Sequence, residues 1–294
     1  MMDQAQNLRN IIKMQNQKAV DNSRIIAVTS GKGGVGKSNT SVNLALQFQR
    51  QGKKVVIFDA DFGLANIEVM FGIIPKYNLG DMMFKGKELK DIITPGPEGV
   101  GFISGGSGIA RLVNLDKDQI KRLVSKLSEL EEMADVVIID TGAGISSSVM
   151  EFLVSSPEII LVTTPEPASI TDSYALLKAL SMNEDFESDN TRVKLIANRV
   201  ENDKDGQGLY DKLSAVSTRF LNVDLEYLGA VPFDNNVTKS VMNQKPVTLM
   251  YPGSPSARCY EDIVNILENK EISPHNNIGV RNFFKTVFSR KVNG

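Results

Sequence analysis

The sequence predicts an α/β fold: one open, doubly wound, mainly parallel sheet with helices on both faces. Three observations carry this. Short runs of β-branched residues recur along the chain, with helical patterns between them. Several runs, such as Val136-Val137-Ile138-Ile139, are apolar at every position, as a strand covered on both faces requires. The 294 residues are 41% hydrophobic and 23% charged, which suits one large α/β domain and not a disordered chain.

In chain order, Arg24–Ser30 reads as the first strand and Lys37–Gln51 as the helix after it. Lys54–Asp59, Gly101–Ser104 and Asp135–Asp140 read as the next three strands. Before the last of these, Asp118–Met133 has helical periodicity, with Ile120, Leu123, Val124, Leu127 and Leu130 on one face. Strands at Ile159–Thr164, Val193–Asn198 and Tyr227–Val231 then alternate with helices at Ile170–Leu180, Leu209–Phe220 and Ser256–Asn269. Residues 23–271 therefore form the domain, while 1–22 and 272–294 stand outside its core. No internal repeat or low-complexity tract interrupts it.

Composition removes several classes of chemistry. One cysteine, Cys259, excludes an intrachain disulfide framework and any thiolate zinc or iron–sulfur cluster built by one chain alone. One histidine, His275, excludes a multi-histidine metal site. Catalysis must rest on carboxylates, lysines, backbone amides and a metal. The formal net charge of −2 gives no bulk attraction to nucleic acid. No run of about 18 apolar residues is long enough to span a bilayer, and no signal-peptide core opens the chain. The expected location is cytoplasmic. The four basic residues after Ile272 meet no acid, which leaves a body of net −6 with a basic tail.

Ser30-Gly31-Lys32-Gly33-Gly34-Val35-Gly36-Lys37-Ser38-Asn39 follows the first strand and opens a helix, the context that makes a P-loop. Its glycines let successive N–H groups turn inward onto phosphate oxygens, and the helix N-terminus adds its positive end. Lys37 is placed to reach the β- and γ-phosphates and the Ser38 hydroxyl to ligate Mg²⁺. Asp59 and Asp61 lie two residues apart at the exit of the next strand. As a bare pair they read equally as caps of a turn. After a P-loop they are where phosphoryl transfer needs a carboxylate to hold water in line. The strand ending at Asp140 reads as Walker B, with Asp140 holding Mg²⁺ and Gly142 and Gly144 letting the loop rearrange. Asn198, followed by Arg199, ends a late strand and offers donor and acceptor to adenine. Pro232, Phe233 and Asp234 end the last strand, where backbone groups suit the base.

With Lys32 in it, the loop resembles the deviant P-loop of the MinD/ParA class of ATPases. The resemblance implies a P-loop NTPase fold, ATP and ADP as ligands with Mg²⁺, and slow switch-type hydrolysis. It implies an ATP-dependent homodimer in which Lys32 reaches the partner's nucleotide. It gives Asp61 the attacking water and places Asp59 near the metal and Lys37. It also gives Glu166, in Thr164-Pro165-Glu166-Pro167, to the partner's ribose; otherwise Glu166 is a surface carboxylate. The nitrogenase iron-protein and iron–sulfur scaffold branches need cysteines absent here, and the tyrosine-kinase branch a tyrosine-rich tail.

The two ends resemble the flagellar MinD-like branch, the FlhG (YlxH, FleN) family. Asp3-Gln4-Ala5-Gln6-Asn7-Leu8-Arg9 is similar to its DQAxxLR element. The resemblance implies that Asp3, Gln4, Ala5, Leu8 and Arg9 bind the signal-recognition-type GTPase FlhF and stimulate its hydrolysis, with Gln4 orienting water. A plainer alternative is a solvated helix docking through Leu8, Ile11 and Ile12. At the other end, Val280, Phe283, Phe284, Val287 and Phe288 share one helical arc. Arg281 and Arg290 flank it and Lys285 lies on the polar side, which suits an anionic membrane surface. The alternative is that this helix packs on the domain. The expected function is a membrane-associating switch controlling flagellar placement and number, with switch-ring proteins as further partners. The rivals are a ParA-like DNA-segregating ATPase and a regulator that sequesters a transcription factor or divisome protein.

Overall fold

A computed structural model describes residues 23–61, 66–105, 117–269 and 279–290. The strands are β1 (Arg24–Ser30), β2 (Val55–Ala60), β3 (Thr94–Pro95), β4 (Gly101–Ile103), β5 (Val136–Ala143), β6 (Glu158–Thr163), β7 (Arg192–Val200) and β8 (Leu225–Pro232). They form one sheet in the order β3-β4-β2-β5-β1-β6-β7-β8. Every pairing is parallel except β3 with β4. The predicted strands are all present within a few residues of their expected ends, and the first matches at both ends. The edge strand β3 is two residues long, too short to leave a periodic signal.

β1 lies between β5 and β6, so chain order reverses around it and its C-terminal end opens a crevice. From β1 the chain enters α1 (Lys37–Arg50). Then come α2 (Asn66–Phe71), α3 (Leu79–Phe84), α4 (Leu89–Ile92), α5 (Lys117–Leu127), α6 (Leu130–Met133) and α7 (Ser147–Ser155). After β6 and β7 come α8 (Pro167–Ser181) and α9 (Asp203–Leu221). Last are α10 (Asn235–Met242), α11 (Val247–Met250), α12 (Pro255–Asn269) and α13 (Val280–Arg290). The helix expected over Asp118–Met133 is broken in two. At the break, Glu129 N–H reaches back only to Lys126 O and Ser128 Oγ donates to Ser125 O, so the chain tightens into a turn.

The sheet separates two apolar cores. One, on the α1 and α12 face, contains Val42, Phe48, Ile138, Ile160 and Tyr260. The other, on the opposite face, contains Phe58, Leu123, Ile139, Phe152 and Leu176. α13 belongs to the second. Val280, Phe283, Phe284, Val287 and Phe288 are all buried there. Phe284 meets Phe58 at 5.3 Å between ring centroids, and Phe283 and Phe288 meet Phe152 at 6.3 and 6.5 Å. Arg281 and Lys285 are exposed. The five apolar residues assigned to a membrane thus lie against the domain in this state, as the packing alternative expects. The side chain of Arg290 and the N-terminal residues Asp3, Gln4, Ala5, Leu8 and Arg9 lie outside the described residues. No helix among those described is long and apolar enough to cross a membrane.

Far from the crevice, the starts of β1, β6 and β7 bury a charged triad. Arg24 donates to both oxygens of Glu158 at 2.6 and 2.9 Å, and Lys194 Nζ donates to the same carboxylate. Burial is the largest influence on Glu158 and pulls its pKa up, yet the two cations hold it below the ordinary carboxylate range. Burial pushes Lys194 down.

Candidate nucleotide and metal site

The crevice at the end of β1 holds a cleft of about 830 Å³. It brings together Gly33, Gly34, Gly36, Lys37, Ser38 and Asn39 from the cradle with Asp61, Asn198, Arg199, Pro232, Phe233 and Asp234. These are residues named from sequence, drawn from four separate strand ends. Two cradle positions require glycine. Gly36 has φ 99°, and a Cβ there would lie 2.3 Å from Asn198 Nδ2. A Cβ on Gly31 would lie 2.2 Å from the backbone carbon of Asp172, so the loop is pressed directly onto α8. Val35 is buried within the cradle wall, where its carbonyl accepts from Asn198 Nδ2 at 2.7 Å. Asn198 therefore braces the cradle as well as facing the cleft.

Lys37 is nearly buried and sits 3.1 Å from Asp140 Oδ1, with Ser38 Oγ 3.2 Å away. Ser41 Oγ donates to the same Asp140 oxygen at 2.7 Å. Asp140 Oδ2 is buried without a hydrogen-bond partner among the described residues. A buried carboxylate oxygen left over in this way fits a hard cation. The donor set of Ser38, Asp140 and Asp59 is all oxygen, as Mg²⁺ prefers, with phosphates and waters completing its shell. Asp59 is buried, and desolvation first and the charge of Asp140 second push its pKa up to about 8. Its carboxyl therefore holds a proton near neutral pH, which relieves repulsion from Asp140; a bound dication would displace that proton.

Asp61 is only partly buried at the mouth of the cleft. A Cβ on Gly142 would stand 3.9 Å from Asp61 Oδ1, and Gly144 N–H donates to Ser30 O at 2.9 Å. Asp61, just after β2, and the end of β5 thus face one another and the cradle. The ParA family model, described as a NUBPL iron-transfer P-loop NTPase, matches residues 21–268 of this chain. This chain is a member of the ParA/MinD family of P-loop NTPases. The antiactivator FleN of Pseudomonas aeruginosa is 39% identical over 261 residues, spanning 89% of this chain and 91% of FleN. The flagellum site-determining protein YlxH of Helicobacter pylori is 34% identical, spanning 97% of this chain and 98% of YlxH. In structure the chain resembles MinD of Pyrococcus horikoshii, solved with Mg-ADP. The TM-score is 0.67 at 23% identity, covering 84% of this chain and 96% of that one.

Two residues that the ParA/MinD resemblance sends to a partner meet each other here. Lys32 Nζ lies 3.1 Å from Glu166 Oε2, both partly exposed, so the pair is weak and easily exchanged. Glu166 and Arg199 also line a second groove of about 510 Å³ beside the cleft. Asp234 is committed elsewhere. Its carboxylate accepts from Asn236 N–H at 2.8 Å and Ser256 Oγ–H at 2.7 Å, capping α10 and tying in α12. These hydrogen bonds hold its pKa low against the larger opposing effect of burial. Only its backbone is left for a base.

The cleft has walls that sequence reasoning passed over. Asn66 and Met70 come from α2, and Val237, Thr238, Val241 and Met242 from α10. Phe233 is 64% and Met242 78% exposed, an apolar surface that suits the flat face of a base. A signal existed in Val237 and Val241, four residues apart and just after the strand end.

Proposed function

We propose that this protein is an Mg²⁺-dependent ATPase of the switch type. In its ATP state it forms a homodimer on the cytoplasmic membrane surface and controls where, or how many, flagella form. The observation that carries the ATPase reading is the Lys37–Asp140 pair, with an orphaned Asp140 oxygen, where Lys37 and Ser38 line a nucleotide-sized cleft. The flagellar part is supported by likeness to FleN and YlxH along nearly their whole lengths.

The chemistry follows from the residues. Backbone N–H groups of residues 33–38 cradle the phosphates, and Lys37 exchanges Asp140 for phosphate oxygens. Ser38, Asp140 and Asp59 are the residues that would hold Mg²⁺, which would supply charge neutralisation at the phosphates. Asp61 holds the attacking water, and Lys32 leaves Glu166 for the partner's phosphates while Glu166 takes the partner's ribose. Residues 3–9 engage an FlhF-type GTPase, with Gln4 entering its site, and the flagellar switch ring is a further partner.

Membrane attachment requires α13 to leave the core. Its partners there are Phe58, one residue before Asp59, and Phe152 on the helix after the β5 loop. Rearrangement of either loop would therefore reach the docked face. Two α13 helices on a dimer bind far better than one, through effective concentration. Sedimentation with vesicles containing phosphatidylglycerol tests this. The protein should pellet with ATP and remain in solution with ADP. Arg281→Glu combined with Lys285→Glu, both exposed, should cut pelleting several-fold while nucleotide binding is kept. Equal pelleting with ATP and ADP would remove the membrane switch.

A further inference from the structure

The short helix α2 is tethered at its start to Asp59, within β2, and to Asp61, just after it. Asn66 Nδ2 donates to Asp61 Oδ2 at 3.0 Å. Ile67 N–H donates to Asp59 Oδ2 at 3.4 Å, and Asp59 Oδ1 accepts from Asp61 N–H at 3.1 Å. An amide donor on one carboxylate oxygen restrains rotation about the last torsion of Asp61, and so sets where its lone pairs point.

Further along α2, the cleft is met by an apolar side chain. Met70 lines it together with Val237, Val241 and Met242. Just beyond, a Cβ on Gly72 would stand 3.2 Å from the Cβ of Gln244, which follows α10. Asn66 and Met70 are four residues apart, hence on one face of the helix, and both face the cleft. Glu68, on the same helix, accepts from Ser104 Oγ at the end of β4. This six-residue helix is thus held at Asn66, at Glu68 and just past its end at Gly72.

We infer that Asn66 is a positioning residue for Asp61, and that Met70 links it to whatever occupies the apolar part of the cleft. Contact with the base then sets the aim of the carboxylate that holds the water. A triphosphate without a well-seated base would leave Asp61 unaimed, which makes hydrolysis depend on base fit as well as on phosphate binding. The inference rests on the ATPase reading above.

Steady-state hydrolysis and mant-ADP titration on the full chain test it. Asn66→Ala should lower kcat about tenfold, since misplacement of an aligned group costs up to about a hundredfold. Mant-ADP affinity should stay within about twofold, which also reports that the fold is intact. Asn66→Gln, which keeps the amide donor, should recover most of the loss. Met70→Ala should lower kcat about threefold at saturating ATP, and the double variant should be no slower than Asn66→Ala, because both act on one path. A kcat for Asn66→Ala within twofold of the unaltered chain would overturn the inference. So would no recovery with Gln, or effects that multiply in the double variant. If the unaltered chain binds mant-ADP but hydrolyses no ATP, the ATPase reading itself falls, and the inference with it.

Discussion

Lys37→Ala should weaken mant-ATP binding by at least about a hundredfold and destabilise the nucleotide-free chain in the same step. The first effect follows from removing a charge-assisted donor to phosphate in a partly desolvated site, worth about 3 kcal/mol. The second follows from the resting geometry. Among the described residues, Lys37 is the cation within ion-pair distance of Asp140, whose side chain is fully buried. Removing one partner of a buried pair costs about 3–5 kcal/mol, because the remaining charge is left without compensation. The two effects separate in the double variant Lys37→Ala with Asp140→Asn. Stability in a urea melt should largely return, since no buried charge is left over, while mant-ATP binding should not. If the single variant binds nucleotide normally, Lys37 has no role at the phosphates.

The second large effect lies at the opposite end of the sheet. Glu158→Gln should cost about 3–5 kcal/mol, and a chain of this size should then melt roughly ten degrees lower. The glutamine leaves Lys194, whose side chain is 0% exposed, without a counter-charge, and leaves Arg24 with only the partly exposed Glu268, 3.2 Å away. Replacing all three residues by methionine or leucine should restore most of the stability, because the charges are removed together. The pH dependence has a fixed sign. The Glu158 carboxyl is held below its ordinary value of 4.5. Its contribution is therefore complete above that value and is lost as the pH falls through the lower folded one. Acid unfolding of the unaltered chain should carry a slope there that the all-apolar variant lacks. An unchanged melting temperature for Glu158→Gln would contradict this account of the triad.

Strands were legible because this sheet is buried on both faces. Runs such as Ile25-Ile26-Ala27-Val28 have no solvent side to blur them. The cradle was legible because its residues are contiguous and Gly31 and Gly36 each meet a steric constraint. What escaped was short or ambiguous. α2 and α11, of six and four residues, hold too little sequence for a helical period to emerge. Met70 and Asn66 therefore stayed hidden although both face the cleft. The arc of α13 was read with the right five residues, but periodicity shows only that a face is covered, not by what. Lipid and the Phe58–Phe152 surface ask for the same pattern. Asp234 shows the same for polar groups: its position beside the cleft was readable, but its tie to α12 runs through Ser256, which is distant in sequence.

The central claim is that two copies close over two triphosphates, with Lys32 of each turned from its own Glu166 toward the other's nucleotide. Light scattering on an Asp61→Ala variant, which should bind Mg-ATP without spending it, tests this most directly. The account predicts twice the 32.2 kDa chain mass with Mg-ATP, a single chain with ADP, and loss of the doubling when Lys32→Ala is added. A single-chain mass at saturating Mg-ATP, unchanged by anionic vesicles, would contradict it.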